Sequence, residues 1–259
     1  MDDILQVSGL TKRFGGLTAV NNVSFSVREG EVLSVIGPNG AGKSTLFKLV
    51  ASFLRPSAGE VRFQGKRISG LAPHVVARMG VVRTFQETTI FKGMTVRENV
   101  IIAHQLRARA SLPGFYIRSP TARKDESEFG RSADDILEFL GLDHIQDEPA
   151  LALPHGHLRA LGMAIGLATN PKVLLLDEPF AGMNHDETMR AVEMVKDVRE
   201  RGVTILLVEH DMPAVMQISH RIVVLNFGEK IAEGTPTEIQ QNEKVIEAYL
   251  GIEDKTIGF

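Results

Sequence analysis

No cysteine occurs among the 259 residues. That excludes a disulfide framework and any zinc site built on thiolates, and it suits a reducing compartment. An excess of basic residues is lacking too, with 29 Lys and Arg against 32 Asp and Glu and a net charge of -3. Broad nucleic-acid binding needs a strongly basic face, so the balance speaks against a nucleic-acid partner. Long hydrophobic runs are also missing. No unbroken aliphatic run exceeds four residues, VLLL, ILLV and IVVL being typical, whereas a spanning helix needs about 20 mostly apolar residues. The N-terminal MDDILQVSGLTKRF lacks the basic and apolar zones of a signal peptide. The expectation is a chain that does not cross a membrane by itself.

What is present suits a globular protein, with 43% hydrophobic and 24% charged residues. Short apolar runs bounded by turn residues alternate with segments of helical period. ILQVSGL, NVSFSV and EVLSVIG read as strands, STLFKLVASFL as a helix, SAGEVRFQGKRI as a hairpin and GVVRTFQ as a strand. From about Arg97 the character changes. RENVIIAHQLRARA and RSADDILEFLGL predict helices, and the segment between Arg107 and Arg131 reads as a solvated loop that shifts from basic (Arg118, Arg123, Lys124) to acidic (Asp125, Glu126, Glu128). A contact with a partner or with lipid headgroups is the lesser reading of that loop. After Pro171 the strand-helix rhythm returns with VLLLDEP, HDETMRAVEMVKDVRERG and TILLVEHD. The pattern is α/β with a helical insertion.

Gly37-Pro38-Asn39-Gly40-Ala41-Gly42-Lys43-Ser44, with Thr45 adjoining, fits G-x-x-x-x-G-K-[ST]. Glycines let backbone N–H groups turn inward around phosphate oxygens, and the helix that follows adds its positive end. Lys43 would neutralise the β- and γ-phosphates of ATP, and the Ser44 hydroxyl would ligate Mg2+. VLLLDEP supplies the other half: Asp177 at a strand end would hold Mg2+, and Glu178 would orient and deprotonate an attacking water.

With these two motifs placed, the chain resembles the nucleotide-binding subunits of ABC transporters over nearly its full length. The resemblance implies an α/β fold with a P-loop core, an antiparallel β subdomain and a helical subdomain. Residues 1–259 would form one such domain: 1–96 the β subdomain and the P-loop part of the core, 97–169 the helical part, 170–259 the rest of the core and the tail. Phe14 in KRFGG matches the aromatic that stacks on adenine, with a core phenylalanine as the alternative. Gln86 in RTFQE matches the glutamine that contacts Mg2+ or the nucleophilic water and relays contact with the membrane partner. His210 in VEHDM matches the histidine that grips the γ-phosphate. TFQ…IF…MTVRENV, DEPFAGMNHDET, EHDM, GEKIAEGTPTEI and VIEAYLG look like the branched-chain amino acid and amide importer group. That implies two membrane permeases, a second ATPase, an external binding protein and a place on the cytoplasmic face of the membrane.

One loop departs from the family. Where L-S-G-G-Q or L-x-x-G-Q would reach the ATP held by an opposite subunit stand Leu153, Pro154, His155, Gly156 and His157. Pro154 has neither hydroxyl nor N–H, though proline suits the first turn of a helix. Gly162 and Gly166 each cost about 1 kcal/mol in helix propensity against alanine. The weakened site would be the one around the partner's P-loop, so the expectation is an asymmetric heterodimer, with a homodimer as the alternative. An imidazolium at 155 or 157 could replace the lost donors; drift of a tolerated loop explains the change equally well. Two other functions stand beside the importer ATPase: a regulatory subunit that binds ATP without useful hydrolysis, and a soluble ABC protein of repair or translation. The solute itself is not written in an ATPase that never touches it.

Overall fold

The computed structural model describes residues 3–84, 90–111, 114, 116–117 and 119–253. Ten strands are among them: β1 (Asp3–Phe14), β2 (Leu17–Arg28), β3 (Val32–Ile36), β4 (Ala58–Phe63), β5 (Lys66–Arg67), β6 (Val81–Arg83), β7 (Val173–Asp177), β8 (Thr204–Val208), β9 (Arg221–Asn226) and β10 (Glu229–Gly234). The α-helices are α1 (Lys43–Val50), α2 (Pro73–Met79), α3 (Val96–Ala103), α4 (Pro120–Phe139), α5 (His155–Ala168), α6 (His185–Glu200), α7 (Met212–Ile218), α8 (Pro236–Gln240) and α9 (Glu243–Glu253).

The strands make two sheets, a four-stranded antiparallel one in the order β2-β1-β4-β5 and a six-stranded one in the order β10-β9-β3-β8-β7-β6. In the larger sheet β9, β3, β8, β7 and β6 run parallel, and β10 is the antiparallel edge. Every residue of β3, β7 and β8 is buried, which is why VLSVI, VLLLD and TILLV read as unbroken apolar runs: both faces of a parallel sheet are covered. Alternate side chains go to opposite faces. Leu174, Leu176, Ile205 and Leu207 join a core with α3 to α6. Val173, Leu175, Leu206 and Val208 join a second core with α1 and the antiparallel sheet.

The segment between Arg107 and Arg131 departs from the expected solvated loop. Helix α4 already starts at Pro120, where Ser119 accepts a cap bond from the Ala122 amide and proline occupies the first turn. Its acidic part is not all solvated either. Asp125 is buried and accepts from the amides of Arg109 and Ala110, both at 2.9 Å, while Phe129 packs 5.2 Å from the His104 ring. The charge run hid one carboxylate that pins the preceding turn. The helix expected over RENVIIAHQLRARA spans Val96–Ala103, starting one residue earlier, and then tightens to a 3-10 turn over His104–Arg107.

Candidate functional site

The glycine-rich turn leaves the buried end of β3 and enters α1. Gly37, Gly40 and Gly42 have φ of 151°, 81° and 99°. A Cβ on Gly37 would lie 2.1 Å from the Leu225 carbonyl oxygen, and one on Gly42 would lie 2.3 Å from that of Ala19. Only glycine fits at either place. Inside the turn the Lys43 ammonium donates to the carbonyls of Gly37 (2.6 Å) and Pro38 (3.0 Å). Burial pulls the Lys43 pKa below its ordinary value, against the opposing charges of Glu178 and Asp177. The Ser44 side is exposed and Thr45 half-buried. Tyr249 of α9 meets the Gly37 backbone and its phenol is pushed up by burial, so the C-terminal helix braces the turn.

Asp177 ends β7, and Glu178 follows with φ 50° while its amide donates to Val208 at 2.9 Å. Val208 pairs with Val35 on one side and Asp177 on the other. The glycine turn, His210 and Glu178 therefore emerge at the same end of adjacent strands β3, β8 and β7, the end where open parallel sheets bind ligands. His210 is 61% exposed by side chain. Phe14 is 46% exposed, with Lys12 Nζ 5.1 Å from its ring centroid. That corrects the core alternative for Phe14: the hairpin carries the ring out of the apolar interior, and its strand β2 touches the glycine turn through Ala19. Gln86 lies outside the described residues.

Leu153–His157 does not join this group. Leu153 is buried in the helical-side core, and Pro154 is the N-cap of α5, one position before the first turn where the proline was expected. Its extended ψ of 157° leaves its carbonyl free to accept from Leu158 at 3.0 Å. Pro154 makes no side-chain cap bond to this helix, as expected of a residue without a polar side chain. His155 is exposed, Gly156 is half-buried, and the His157 ring stands edge-on to His144 at 6.0 Å. A cavity of about 420 Å³ separates Pro154, Gly156 and His157 from Asp177 and Glu187, and none of Gly37–Thr45 lines it. Gly166 has a packing reason beyond helix propensity, because a Cβ there would sit 3.1 Å from Leu174 and 3.2 Å from Thr84.

Two further residues escaped the sequence reading. Glu209 is buried and accepts from the amides of Phe180 (2.7 Å) and His210 (2.9 Å), tying the turn of Glu178 to that of His210. Burial raises its pKa, and these amides oppose the rise. Arg83 at the end of β6 pairs with Asp177 at 2.5 Å. An acid directly after the buried TILLV run was the available signal for Glu209; nothing local marked Arg83.

The donor set suits its expected guests. A glycine-rich turn with a lysine suits phosphate, and the hydroxyl and carboxylate oxygens of Ser44 and Asp177 are the hard donors that Mg2+ takes. The family model for ABC transporter matches residues 20–181, and that for the branched-chain amino acid ATP-binding cassette transporter matches residues 229–255. The chain is 45% identical to the high-affinity branched-chain amino acid transport ATP-binding protein BraF of Pseudomonas aeruginosa, over 96% of this chain and 98% of that one. It is 40% identical to the probable branched-chain amino acid transport ATP-binding protein LivG of Archaeoglobus fulgidus, over 98% of both. A crystal structure of a nucleotide-free ATP-binding cassette from an ABC transporter superposes with a TM-score of 0.85 at 33% identity, covering 96% of this chain and 99% of that one.

Proposed function

The chain belongs to the family of ABC transporter ATP-binding proteins, and from that premise we propose that it binds and hydrolyses ATP within an importer for branched-chain amino acids or related small solutes. The observation that carries this reading is the meeting of the Lys43 turn, Asp177, Glu178 and His210 at one end of β3, β8 and β7. The solute class comes from the names of the relatives.

In this reading the amides of Gly37–Ser44 and the Lys43 ammonium hold the phosphates, and Phe14 stacks on adenine. Ser44 and Asp177, together with Gln86, hold Mg2+, which when bound supplies positive charge against the phosphate oxygens. Glu178 takes the proton of the attacking water, and His210 holds the γ-phosphate from its exposed position. Glu209 fixes the spacing of those two turns. The uncapped start of α5, Leu153 to His157, serves the ATP of a second ATP-binding subunit. With a related chain as partner, the changed loop leaves that second site the weaker one; with another copy as partner, both sites carry the changed loop and are weakened alike.

Residues 97–169 act as the helical part that moves against the core. A groove of about 300 Å³ lined by Phe53, His74, Ala77, Arg83 and Ile165 receives one of two permease subunits. No helix among the described residues is long and apolar enough to cross a membrane, so attachment at the cytoplasmic face runs through the permeases, with a solute-binding protein beyond them.

Replacing Glu178 by Gln in the assembled transporter tests the reading. Hydrolysis should fall by about 10²–10⁴-fold while nucleotide binding persists. Retention of most of the activity would show that this chain does not own the competent site, as would suit the regulatory alternative that the altered loop favours.

A further inference from the structure

Arg83, a lining residue of the groove, also makes a contact that has no role in the proposed function. It ends β6, whose parallel partner β7 ends at Asp177. Its guanidinium nitrogen meets Asp177 Oδ2 at 2.5 Å, and the two side chains are only 11% and 6% exposed. The same side chain also reaches the groove. The guanidinium carbon lies 6.0 Å from the Phe53 ring centroid, and both residues line the groove beside His74 and Ala77. One side chain therefore joins the wall of the groove to the carboxylate assigned to Mg2+.

A guanidinium on a nearly buried carboxylate makes a strong charge-assisted bond, because little water competes. The same pairing neutralises charge that a second cation would use. We propose that Arg83 is a positioning residue that restrains Asp177 from engaging a divalent cation, and that filling the groove relaxes this restraint. The proposal rests on the assignments of Asp177 and of the groove made above. It makes the readiness of the phosphate site depend on what occupies the groove, through one ion pair rather than a long path.

Full-length protein is titrated with Mg2+ at a fixed concentration of a fluorescent ATP analogue, and the Mg2+ midpoint for analogue binding is read. Arg83→Gln should lower that midpoint by about tenfold with analogue affinity in EDTA unchanged. Arg83→Lys, which keeps the charge but loses the fork, should fall between the two. A midpoint that stays put or rises in a variant that melts like the parent overturns the proposal. Should Arg83→Gln fail to fold, the groove offers a second route. The chain has no cysteine, so Ala77→Cys gives a unique thiol at which a bulky maleimide fills the groove. The label should lower the midpoint in the otherwise native chain, and no effect of the label rejects the coupling. The docking assignment is read separately by co-purification of Ala77→Arg with the permeases. Unimpaired co-purification sinks that assignment, while a shifted Arg83→Gln midpoint would still uphold the restraint on Asp177.

Discussion

Glu209 shows how one buried carboxylate can govern two loops. It accepts from the amides of Phe180 and His210, and a hydrogen bond to a charged group is worth about 1.5–3 kcal/mol. Glu209→Gln keeps the shape but turns one acceptor oxygen into a donor facing an amide. The expected result is a loss of about 2 kcal/mol in urea denaturation and a fall in kcat larger than any change in KM. Unaltered kcat would mean that the spacing of Glu178 and His210 does not depend on this residue. Gly166 makes the opposite case, in which adding an atom does harm. Alanine would gain about 1 kcal/mol in helix propensity, yet its Cβ would press on Leu174, which is fully buried in β7. Overpacking of about 1–3 kcal/mol should win, so Gly166→Ala should lower the melting temperature. A rise would show that Leu174 can move aside.

The helical segment is held by polar groups that its sequence disguises. His104 at the end of α3 is buried, its Nδ1 lies 2.9 Å from the Val100 carbonyl and its Nε2 lies 2.9 Å from the Ser132 hydroxyl of α4. Burial keeps its pKa below the ordinary histidine value, with Arg107 adding to the drop and the Val100 carbonyl and Glu128 opposing it. The unfolded chain thus takes up this proton more readily than the folded one. The His104 contribution is complete above about pH 6.5 and fades as the pH falls below it. His104→Gln should therefore show a shallower loss of urea midpoint between neutral and mildly acid conditions than the parent. Equal slopes would refute the assignment. Ser119 makes a simpler test: its cap bond to Ala122 starts α4, so Ser119→Ala should cost about 1 kcal/mol in the same denaturation.

Taken whole, the molecule sets its glycine turn, acids and histidine at one end of a parallel sheet, with an apolar groove near the edge strand β6. An arginine forced into that groove at Ala77 should abolish co-purification with the permeases and leave ATP affinity of the free chain at saturating Mg2+ within about twofold. Loss of both would mean that the groove is structural support for the site. Much of this plan was legible beforehand. The glycine turn, the buried strands and Glu178 announce themselves because each depends on a few consecutive residues, whose backbone angles or period of burial are local properties. The α/β class and the glycine turn with its lysine were set at that level. Tertiary structure decided what lies between distant positions. Arg83 reaches Asp177 across 94 residues and Glu209 reaches Phe180 across 29. Asp125 inside a charge run, Gly166 against Leu174 and Phe14 outside the core belong to the same class. A side chain's partner is chosen by which strands become neighbours and which faces close, and no single window of sequence contains both halves of such a choice.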